Sequence, residues 1–405
     1  MKLRVYVAPC GIGLGHITRS VPVADELKRE GAEVVFSTYL DGLDFARRSH
    51  LPTYEAVPIN FKVTSDGTID FKLTAATSGF SLGIRTFLRQ VTREIRFMRG
   101  FKPDVVFSDS RASSLVAARL LRVPVALMLN QFRVEIIKRP TGRKISLFDR
   151  FFFLIANLGW LFIRTALALV WGASKIILIP DLPSPYTISL GNLAIPKRYD
   201  RKVRLIGPVV DREFSSGQSA TQLRSRLGFR GSRPLVYAAV SGPKIEREIL
   251  ARRLLDSLPG RSKHYDIVLS RGNPVGEKKP RRIHGIVVYD WIETQDDFVK
   301  ASDVIVSRAG HGTILKSLVY GKPMILIPIP DHTEQYGNAR RAVSLQVAQM
   351  IDQDRLNSQT LESALKDVLK DGKYRAHSVE IMKIAKPMQP IKTACEAILS
   401  LTASS

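Results

Sequence analysis

The sequence has few cysteines and no leader-like N-terminus. It contains two cysteines in 405 residues, Cys10 and Cys395, too few for a disulfide framework or a cysteine-rich metal site, and this scarcity is typical of a reducing compartment. Met1 leads directly into the strand-like LRVYVA, without the apolar run and small-residue cleavage site of a signal peptide. We therefore expect a cytoplasmic protein.

Acidic residues are too few to balance the basic ones. The chain has 61 Lys and Arg against 37 Asp and Glu, a net charge of +24. Such an excess favours anionic partners, and it does not by itself choose between nucleic acid, phosphorylated substrates and an acidic membrane surface. Local basic clusters, such as residues 138–144 and 278–282, are also typical of ordinary solvated faces.

Short apolar runs alternate with amphipathic stretches along most of the chain, which predicts an α/β protein with parallel sheets. The predicted strands of the first half cover residues 3–8, 33–38, 104–108, 123–128 and 175–180, and its helices cover 17–30, 83–99 and 112–121. The predicted strands of the second half cover 234–240, 265–270, 285–290, 303–307 and 322–330, with helices near 244–257, 312–320 and 334–346. The pattern indicates two tandem Rossmann-like domains whose sheets face a central cleft.

The break between the two series sets the expected domains. Residues 1–206 form an N-terminal domain, residues 207–222 a linker rich in Gly, Pro, Ser and Gln, and residues 223–385 a C-terminal domain. We expect residues 386–405 to form a helix that packs back on the N-terminal domain. Ligands of such sheets bind beyond the carboxyl ends of the strands, so the loops after the strands are the candidate sites.

One lipophilic stretch interrupts the alternation. A helix is predicted at about residues 146–173, and within 151–173 the only charge is Arg164. The length would span a bilayer, but a crossing would separate strand 175–180 from the sheet that it completes. We interpret the segment as an interfacial helix with its aromatic side chains in the lipid and basic neighbours at the head groups. A buried core or dimer helix is the alternative.

The first glycine-rich loop, CGIGLGHITRS at residues 10–20, follows the first strand. Gly13 and Gly15 allow a sharp turn into a helix whose N-terminus attracts anions, and Arg19 lies one turn further on. His16 stands where a dinucleotide fingerprint would need its third glycine, so a nicotinamide site fits poorly. A histidine at this edge can act as a general base, and a structural histidine is the alternative.

Asp109 follows the predicted strand 104–108. Because neighbouring parallel strands bring their carboxyl ends together, this carboxylate can lie beside the first loop. It can then hold the His16 imidazole in one tautomer and stabilise its protonated form. The alternative is that Asp109 caps the helix that begins near Arg111.

The second half contains a longer motif at residues 307–342. A strand ends at Ser307, and the loop and first helical turn that follow form a candidate diphosphate cradle. We expect six residues of this loop to contact a ligand that carries a diphosphate: Arg308, Ala309, Gly310, His311, Gly312 and Thr313. Polar residues at the start of the next helix, Asp331, Glu334 and Gln335, can bind sugar hydroxyls.

The motifs GIGLGH and SRAGHGT…GKPMILIPIPDHTEQYGNA resemble those of inverting GT-B glycosyltransferases, above all the MurG-like, family 28-like group that adds N-acetylglucosamine to a lipid diphosphate. The resemblance covers roughly residues 1–370. The segment PDLPSPYTISLGNLAIPKR has no recognised bacterial counterpart, which favours an archaeal-type relative.

The resemblance implies roles for several matching residues. His16 matches the general base, Gly310 and Thr313 the diphosphate loop, and Glu334 with Gln335 the pair that reads the donor sugar. We expect three further residues to form the acceptor loop beside His16: Gly13, Gly15 and Arg19. Two further residues resemble a second loop near the donor phosphates: Ser241 and Gly242. Lys316 departs from the family, which usually has a glutamate there to bind the ribose hydroxyls, because a lysine cannot accept those hydrogen bonds.

The implied activity is that of a hexosyltransferase. It moves N-acetylglucosamine or a related hexose from a nucleotide diphosphate sugar, with UDP as the expected nucleotide, to a polyprenyl-phosphate-linked or other lipid acceptor with inversion. We expect no metal, no cofactor and no nucleic-acid partner, and peripheral association with the anionic cytoplasmic face of the membrane. Two alternatives stay open: a UDP-sugar 2-epimerase with the same two-domain plan, and a non-catalytic nucleic-acid-binding protein, which would lack a recognition motif.

Overall fold

The computed structural model describes ten stretches of the chain: residues 2–58, 71–132, 165–210, 217–229, 231–242, 244–258, 264–273, 275–277, 279–330 and 332–402. Asp331 and most of the predicted lipophilic helix lie outside the described residues. The statements below concern the described residues only.

The N-terminal half folds around a seven-stranded sheet. Its strands are β1 (Arg4–Pro9), β2 (Glu33–Thr38), β3 (Thr53–Glu55), β4 (Val105–Asp109), β5 (Val125–Met128), β6 (Ile176–Ile179) and β7 (Val203–Leu205). They lie side by side in the order β3-β2-β1-β4-β5-β6-β7, and all neighbouring strands run parallel. The inner strands are buried on both faces, which explains why they are continuous apolar runs.

Six helices accompany this sheet. They are α1 (Gly15–Arg29), α2 (Leu40–Arg48), α3 (Phe71–Phe101), α4 (Ala112–Leu120), α5 (residues 165–172) and the one-turn α6 (Leu190–Leu193). Helix α1 follows β1 directly, so the first glycine-rich loop is the turn between them.

The C-terminal half contains a second seven-stranded sheet. Its strands are β8 (Leu235–Ala239), β9 (Asp266–Ser270), β10 (Arg281–Ile283), β11 (Ile286–Tyr289), β12 (Val304–Ser307), β13 (Met324–Leu326) and β14 (Ala348–Met350). The order is β10-β11-β9-β8-β12-β13-β14, and the edge strand β10 runs antiparallel to β11. The α/β class with two parallel sheets is therefore confirmed, with one antiparallel edge that the sequence did not indicate.

Eight helices follow in the second half: α7 (Ala220–Arg226), α8 (Lys244–Ser257), α9 (Gln295–Ala301), α10 (His311–Val319), α11 (Thr333–Ser344), α12 (Ser358–Lys370), α13 (Gly372–Ala385) and α14 (Pro390–Leu399). One predicted element is shorter than expected: strand 322–330 reduces to β13. Arg308 donates to the carbonyl oxygens of Ile327 and Pro328 at 3.2 and 3.3 Å. Beyond β13, these backbone oxygens therefore bond to a side chain and not to a neighbouring strand.

Helix α14 packs against α1 of the N-terminal half. Ala394, Cys395 and Ile398 are buried in one apolar cluster with Val23 and Leu27 of α1. The chain therefore returns, after the second sheet, to complete the core around the first.

Replacing Ile398 with Ala is expected to destabilise the protein by about 2–5 kcal/mol, because it leaves a cavity between α14 and the first sheet. Ile245, which is 46% exposed, supplies the control, and Ile245→Ala should change stability by less than about 0.5 kcal/mol. Urea unfolding followed by circular dichroism measures both. Equal midpoints for the two variants would mean that α14 does not stabilise the domain.

Only part of the end of the lipophilic segment is buried, since Leu169 is 54% exposed. Trp171, expected among the aromatic side chains at the membrane, is 5% exposed. The Trp171 ring lies 5.7 Å from the Phe132 ring in an edge-to-face contact. The expectation that the Trp171 side chain contacts lipid is therefore wrong. Within the described part of the chain, none of the helices combines the length and hydrophobicity that a membrane span requires.

Residues 181–193, which we call the crossing arm, extend from β6 onto the C-terminal half. Leu182 and Ile188 are buried in the apolar cluster that includes residues of α10 and α11. Arg341 of α11 donates to the carbonyl oxygen of Thr187 at 3.0 Å, and the Tyr186 hydroxyl donates to Glu380 at 2.6 Å. The arm precedes β7 in sequence but packs with the second sheet.

Candidate active site

His16 and Asp109 meet at the carboxyl edge of the first sheet. Strands β1 and β4 are neighbours, with Pro9 opposite Asp109, and His16 lies in the first turn of α1. The imidazole Nδ1 is 2.8 Å from Asp109 Oδ1. When Nδ1 carries the proton and donates to the carboxylate, Nε2 is left free to accept one. Asp109 does not cap α4, whose N-cap residue is Arg111.

Arg19 lies behind this pair and not in an open acceptor loop. Its Nε donates to Asp109 Oδ2 at 2.6 Å, and its side chain is 9% exposed. Burial alone would raise the pKa of Asp109, but the Arg19 guanidinium and His16 outweigh it and hold the pKa well below its usual range. Asp109 therefore stays ionised, and its charge faces the imidazole.

Asn130 extends this network to the C-terminal half. Its side-chain oxygen accepts from Arg19 at 3.1 Å, and its side-chain nitrogen donates to Glu334 Oε1 at 2.7 Å. A continuous series of hydrogen bonds thus joins His16, through Asp109, to the start of α11 on the opposite side of the cleft.

Two glycine loops face each other across the same cleft. Gly13 has φ +67° and Gly242 has φ +116°, conformations that favour glycine. A Cβ atom on Gly13 would lie 3.9 Å from the Gly242 Cα, so the loops after β1 and β8 come close. Asp41 of α2 links the first loop to helix α8: it accepts from the Gly13 N–H at 3.1 Å and lies 3.3 Å from the Arg247 guanidinium of α8. Ser241, next to Gly242, is partly exposed.

The loop after β12 presents small residues to the cleft. Gly310 is the N-cap of α10, and in the described structure the nearest atom to a Cβ added there is Thr313 Oγ1, at 3.9 Å. An added Cβ on Gly312 would meet none of the described atoms within 4 Å. The open loop, the N–H groups of the first turn and the helix dipole make this a candidate anion-binding surface.

Three residues of this loop that are expected to contact the donor have side chains that point into the protein. Arg308 is fully buried and donates to Glu246 Oε2 at 3.1 Å, and Ala309 is equally buried. His311 is 4% exposed and its Nε2 lies 3.0 Å from Asp181 Oδ2 of the crossing arm. These three side chains therefore point away from the loop surface and shape the loop from inside, and donor contact by these residues stays a prediction that only their backbone atoms could fulfil in this conformation.

The candidate sugar-binding residues differ in access. Glu334 is partly exposed and binds Asn130. Gln335 is 8% exposed, and its side-chain oxygen accepts from the backbone N–H of Ile329 at 3.0 Å. Gln335 thus fixes the turn before α11, and of this pair Glu334 is the more available to a ligand.

Lys316 forms an ion pair with Asp296 of α9. The other carboxylate oxygen of Asp296 accepts from the Tyr320 hydroxyl at 3.0 Å. Asp296 is 7% exposed, and each of its oxygens already accepts one hydrogen bond from within the C-terminal half.

The sequence interpretation missed Asn130 and Asp181. Each follows the end of a buried parallel strand, β5 or β6, and the rule that selected Asp109 would have selected both. Asp41 and Arg247 carried no such signal, because each lies in a helix and acquires its role from the packing of the two halves. Among the described residues, no cluster of three or more His, Cys, Asp or Glu side chains could hold a metal ion.

Comparison with known proteins shows that the chain is similar to glycosyltransferases. Residues 235–391 match the Glycosyltransferase family 28 C-terminal domain. An uncharacterized glycosyltransferase of Methanosarcina mazei is 25% identical over 410 residues, covering 98% of each chain. The UDP-N-acetylglucosamine–N-acetylmuramyl-(pentapeptide) pyrophosphoryl-undecaprenol N-acetylglucosamine transferase of Legionella pneumophila is 24% identical over 395 residues, which cover 94% of this chain and 95% of that one.

Solved structures share the whole architecture. The spinosyn forosaminyltransferase SpnP superposes with a TM-score of 0.66 at 17% identity over 100% of both chains. The glycosyltransferase SnogD from Streptomyces nogalater gives a TM-score of 0.61 at 18% identity, covering 99% of this chain and 100% of that one. The resemblance to MurG-like GT-B enzymes and to archaeal relatives is confirmed.

Proposed function

We propose that this chain, a glycosyltransferase of the family 28, GT-B type, transfers N-acetylglucosamine or a related hexose from a UDP-sugar to a polyprenyl-phosphate-linked acceptor with inversion. The observation that carries the proposal is that the His16–Asp109 pair and the open Gly310 loop lie at the starts of two helices, α1 and α10, that contact each other between the two halves. A base and an anion-binding helix terminus on opposite sides of one cleft are what a direct displacement requires.

His16 is the proposed general base. An acceptor hydroxyl gives its proton to Nε2 as its oxygen forms a bond to the anomeric carbon of the donor sugar. Asp109, 2.8 Å from Nδ1, stabilises the imidazolium that results, and Arg19 keeps this carboxylate ionised. Attack from the side opposite the leaving group inverts the anomeric centre.

The bond between the anomeric carbon and the diphosphate oxygen breaks in the same step, and its electrons leave with the nucleoside diphosphate. The N–H groups at the start of α10 and the helix dipole stabilise the charge that develops on this group. Gly310 and Gly312 leave the space for it, and Thr313 adds a hydroxyl donor. Ser241 and Gly242 approach the phosphates from β8.

Glu334 is the proposed acceptor for a donor-sugar hydroxyl. It already binds Asn130, 2.7 Å away, and Asn130 is linked through Arg19 to Asp109. A sugar that binds between Gly310 and His16 therefore meets side chains from both halves of the chain. The donor and the catalytic base are positioned by one hydrogen-bonded network.

Membrane association brings the enzyme to its lipid acceptor. The sequence of residues 151–164 is lipophilic and aromatic. In addition, the outward face of α3 carries an exposed row of cations, Arg85, Arg89, Arg93 and Arg96. None of the four has an ion-pair partner in the described part of the protein, and exposed Ile84 and Leu88 lie beside them. Such a surface suits an anionic leaflet.

Replacing Phe152, Trp160 and Phe162 together with Ser is expected to reduce liposome binding sharply, because their rings provide the apolar part of the attachment. Wild-type flotation should strengthen with anionic lipid and weaken with salt. The control replaces three exposed apolar residues of the C-terminal half, Ile245, Val275 and Val343, and should bind as wild type does. If the wild-type protein does not bind liposomes at any salt concentration, a soluble acceptor becomes the better proposal.

The activity is tested directly with a panel of UDP-, GDP- and dTDP-sugars and a membrane lipid extract, with the product identified by mass. We expect a glycosylated lipid from a UDP-hexose and free UDP in equal amount. A sugar nucleotide epimerised in solution, with no glycosylated product, would replace the proposal with an epimerase.

A further inference from the structure

The crossing arm contains a buried carboxylate that the reaction described above does not use. Asp181 follows β6 and is fully buried. A buried charge is costly unless its hydrogen bonds are satisfied, so the partners of this carboxylate indicate what it does.

Most of those partners are in the arm itself. Asp181 Oδ1 accepts from the N–H groups of Leu182 and Ile188 at 2.7 and 3.1 Å. Oδ2 accepts from the Ser189 N–H at 2.8 Å. The carboxylate thus closes residues 181–189 into a compact loop with a fixed shape.

The remaining partner belongs to the donor loop. His311 is the first residue of α10, directly after Gly310, and its Nε2 lies 3.0 Å from Asp181 Oδ2. Because a carboxylate only accepts, Nε2 carries the proton in this contact. With His311 and Asp181 both buried, the first turn of α10 is attached to the arm in a site that water does not reach.

A second connection holds the same loop. Asn192 of the arm donates to Asn338 Oδ1 at 3.0 Å, and Asn338 donates to the carbonyl oxygen of Ala309 at 3.2 Å. The residues on either side of Gly310 are therefore both held, directly or through one side chain, by the crossing arm.

We propose that Asp181 is a positioning residue of the donor site, which acts through His311 to aim the first turn of α10 at the donor diphosphate. This inference rests on the proposed function, because it requires the diphosphate to bind at residues 310–313. It assigns part of the donor site to a segment that precedes the last strand of the first sheet.

The test compares replacements of His311 in the full chain. The Gln side chain of His311→Gln keeps an N–H that reaches Asp181. The Asn side chain of His311→Asn is one methylene shorter than that of Gln, and His311→Ala has no hydrogen-bond donor. We expect Asn and Ala to weaken binding of UDP and of pyrophosphate about 10- to 100-fold, the loss of one hydrogen bond to a charged group. Gln should stay within about threefold of wild type, and the donor KM should rise with little change in kcat.

Two further variants separate this role from general stabilisation. Tyr186→Phe removes the bond between the arm and Glu380 away from the donor loop, and should leave UDP affinity within about twofold. The double variant Asp181→Ala/His311→Ala should bind UDP no more weakly than the weaker-binding of the two single variants, because each change removes the same contact between Asp181 and His311.

The possible failures are distinct. If wild-type protein binds neither UDP nor pyrophosphate, the donor site at Gly310 is wrong and this inference is wrong with it. If wild type binds both and folded His311→Asn or His311→Ala binds them equally well, only the positioning role of Asp181 is overturned. Multiplicative losses in the double variant would also overturn it.

Discussion

His16→Ala is expected to lower kcat by about 10²- to 10⁴-fold while the Kd for the donor nucleotide stays nearly unchanged, because a positioned base acts on the acceptor proton and not on the diphosphate. The imidazole is 25% exposed, so its replacement opens little of the core and the protein should fold. Steady-state kinetics of glycosyl transfer and calorimetry with UDP measure the two quantities.

His264→Ala is the matched control, since His264 is an exposed histidine remote from the cleft, and it should retain normal turnover. Asp109→Asn should also reduce kcat, because an amide does not stabilise the imidazolium. Near-normal turnover of His16→Ala would show that His16 is structural, and another base would have to be sought.

Gly310→Val is expected to abolish UDP binding. Gly310 has φ −69°, which a β-branched residue adopts without strain, and the nearest described atom to the new Cβ would be 3.9 Å away. The variant should therefore fold, while its side chain fills the space in front of the α10 N–H groups. Calorimetry with UDP, checked against the thermal unfolding midpoint, measures the loss.

Gly100→Val provides the comparison. Gly100 is exposed near the end of α3, and an added Cβ there also meets no described atom within 4 Å. It should bind UDP as wild type does. Undiminished UDP affinity in folded Gly310→Val would move the donor site away from this loop.

The sequence predicts the strands and the contact between His16 and Asp109 well because both follow simple rules of parallel sheets. Buried parallel strands are unbroken apolar runs, and β1 and β4 end in polar residues that neighbouring strands bring together. His16 and Asp109 could therefore be paired before the structure was known. The three-residue edge strands β3, β7, β10 and β14 are too short to produce a pattern.

Side-chain direction is what the sequence did not provide. Arg308 and His311 lie in the expected loop, yet both point into the protein, because Glu246 and Asp181 provide buried partners from distant segments. Arg19 similarly turns toward Asp109. In each case a charged partner far away in sequence decides the orientation of the side chain. The hydrophobic periodicity of the sequence does not indicate which residue that partner is.

The packing of α14 against α1 also determines when each half of the protein can fold during translation. The apolar clusters of the second sheet draw on residues from 182 to 385, all of which leave the ribosome before α14. The cluster around β1 and α1 includes Ala394 and Ile398, so it stays open on one face until nearly the whole described chain has been made. The half that is synthesised first is therefore the last to be completed, and one apolar face of it stays exposed until then.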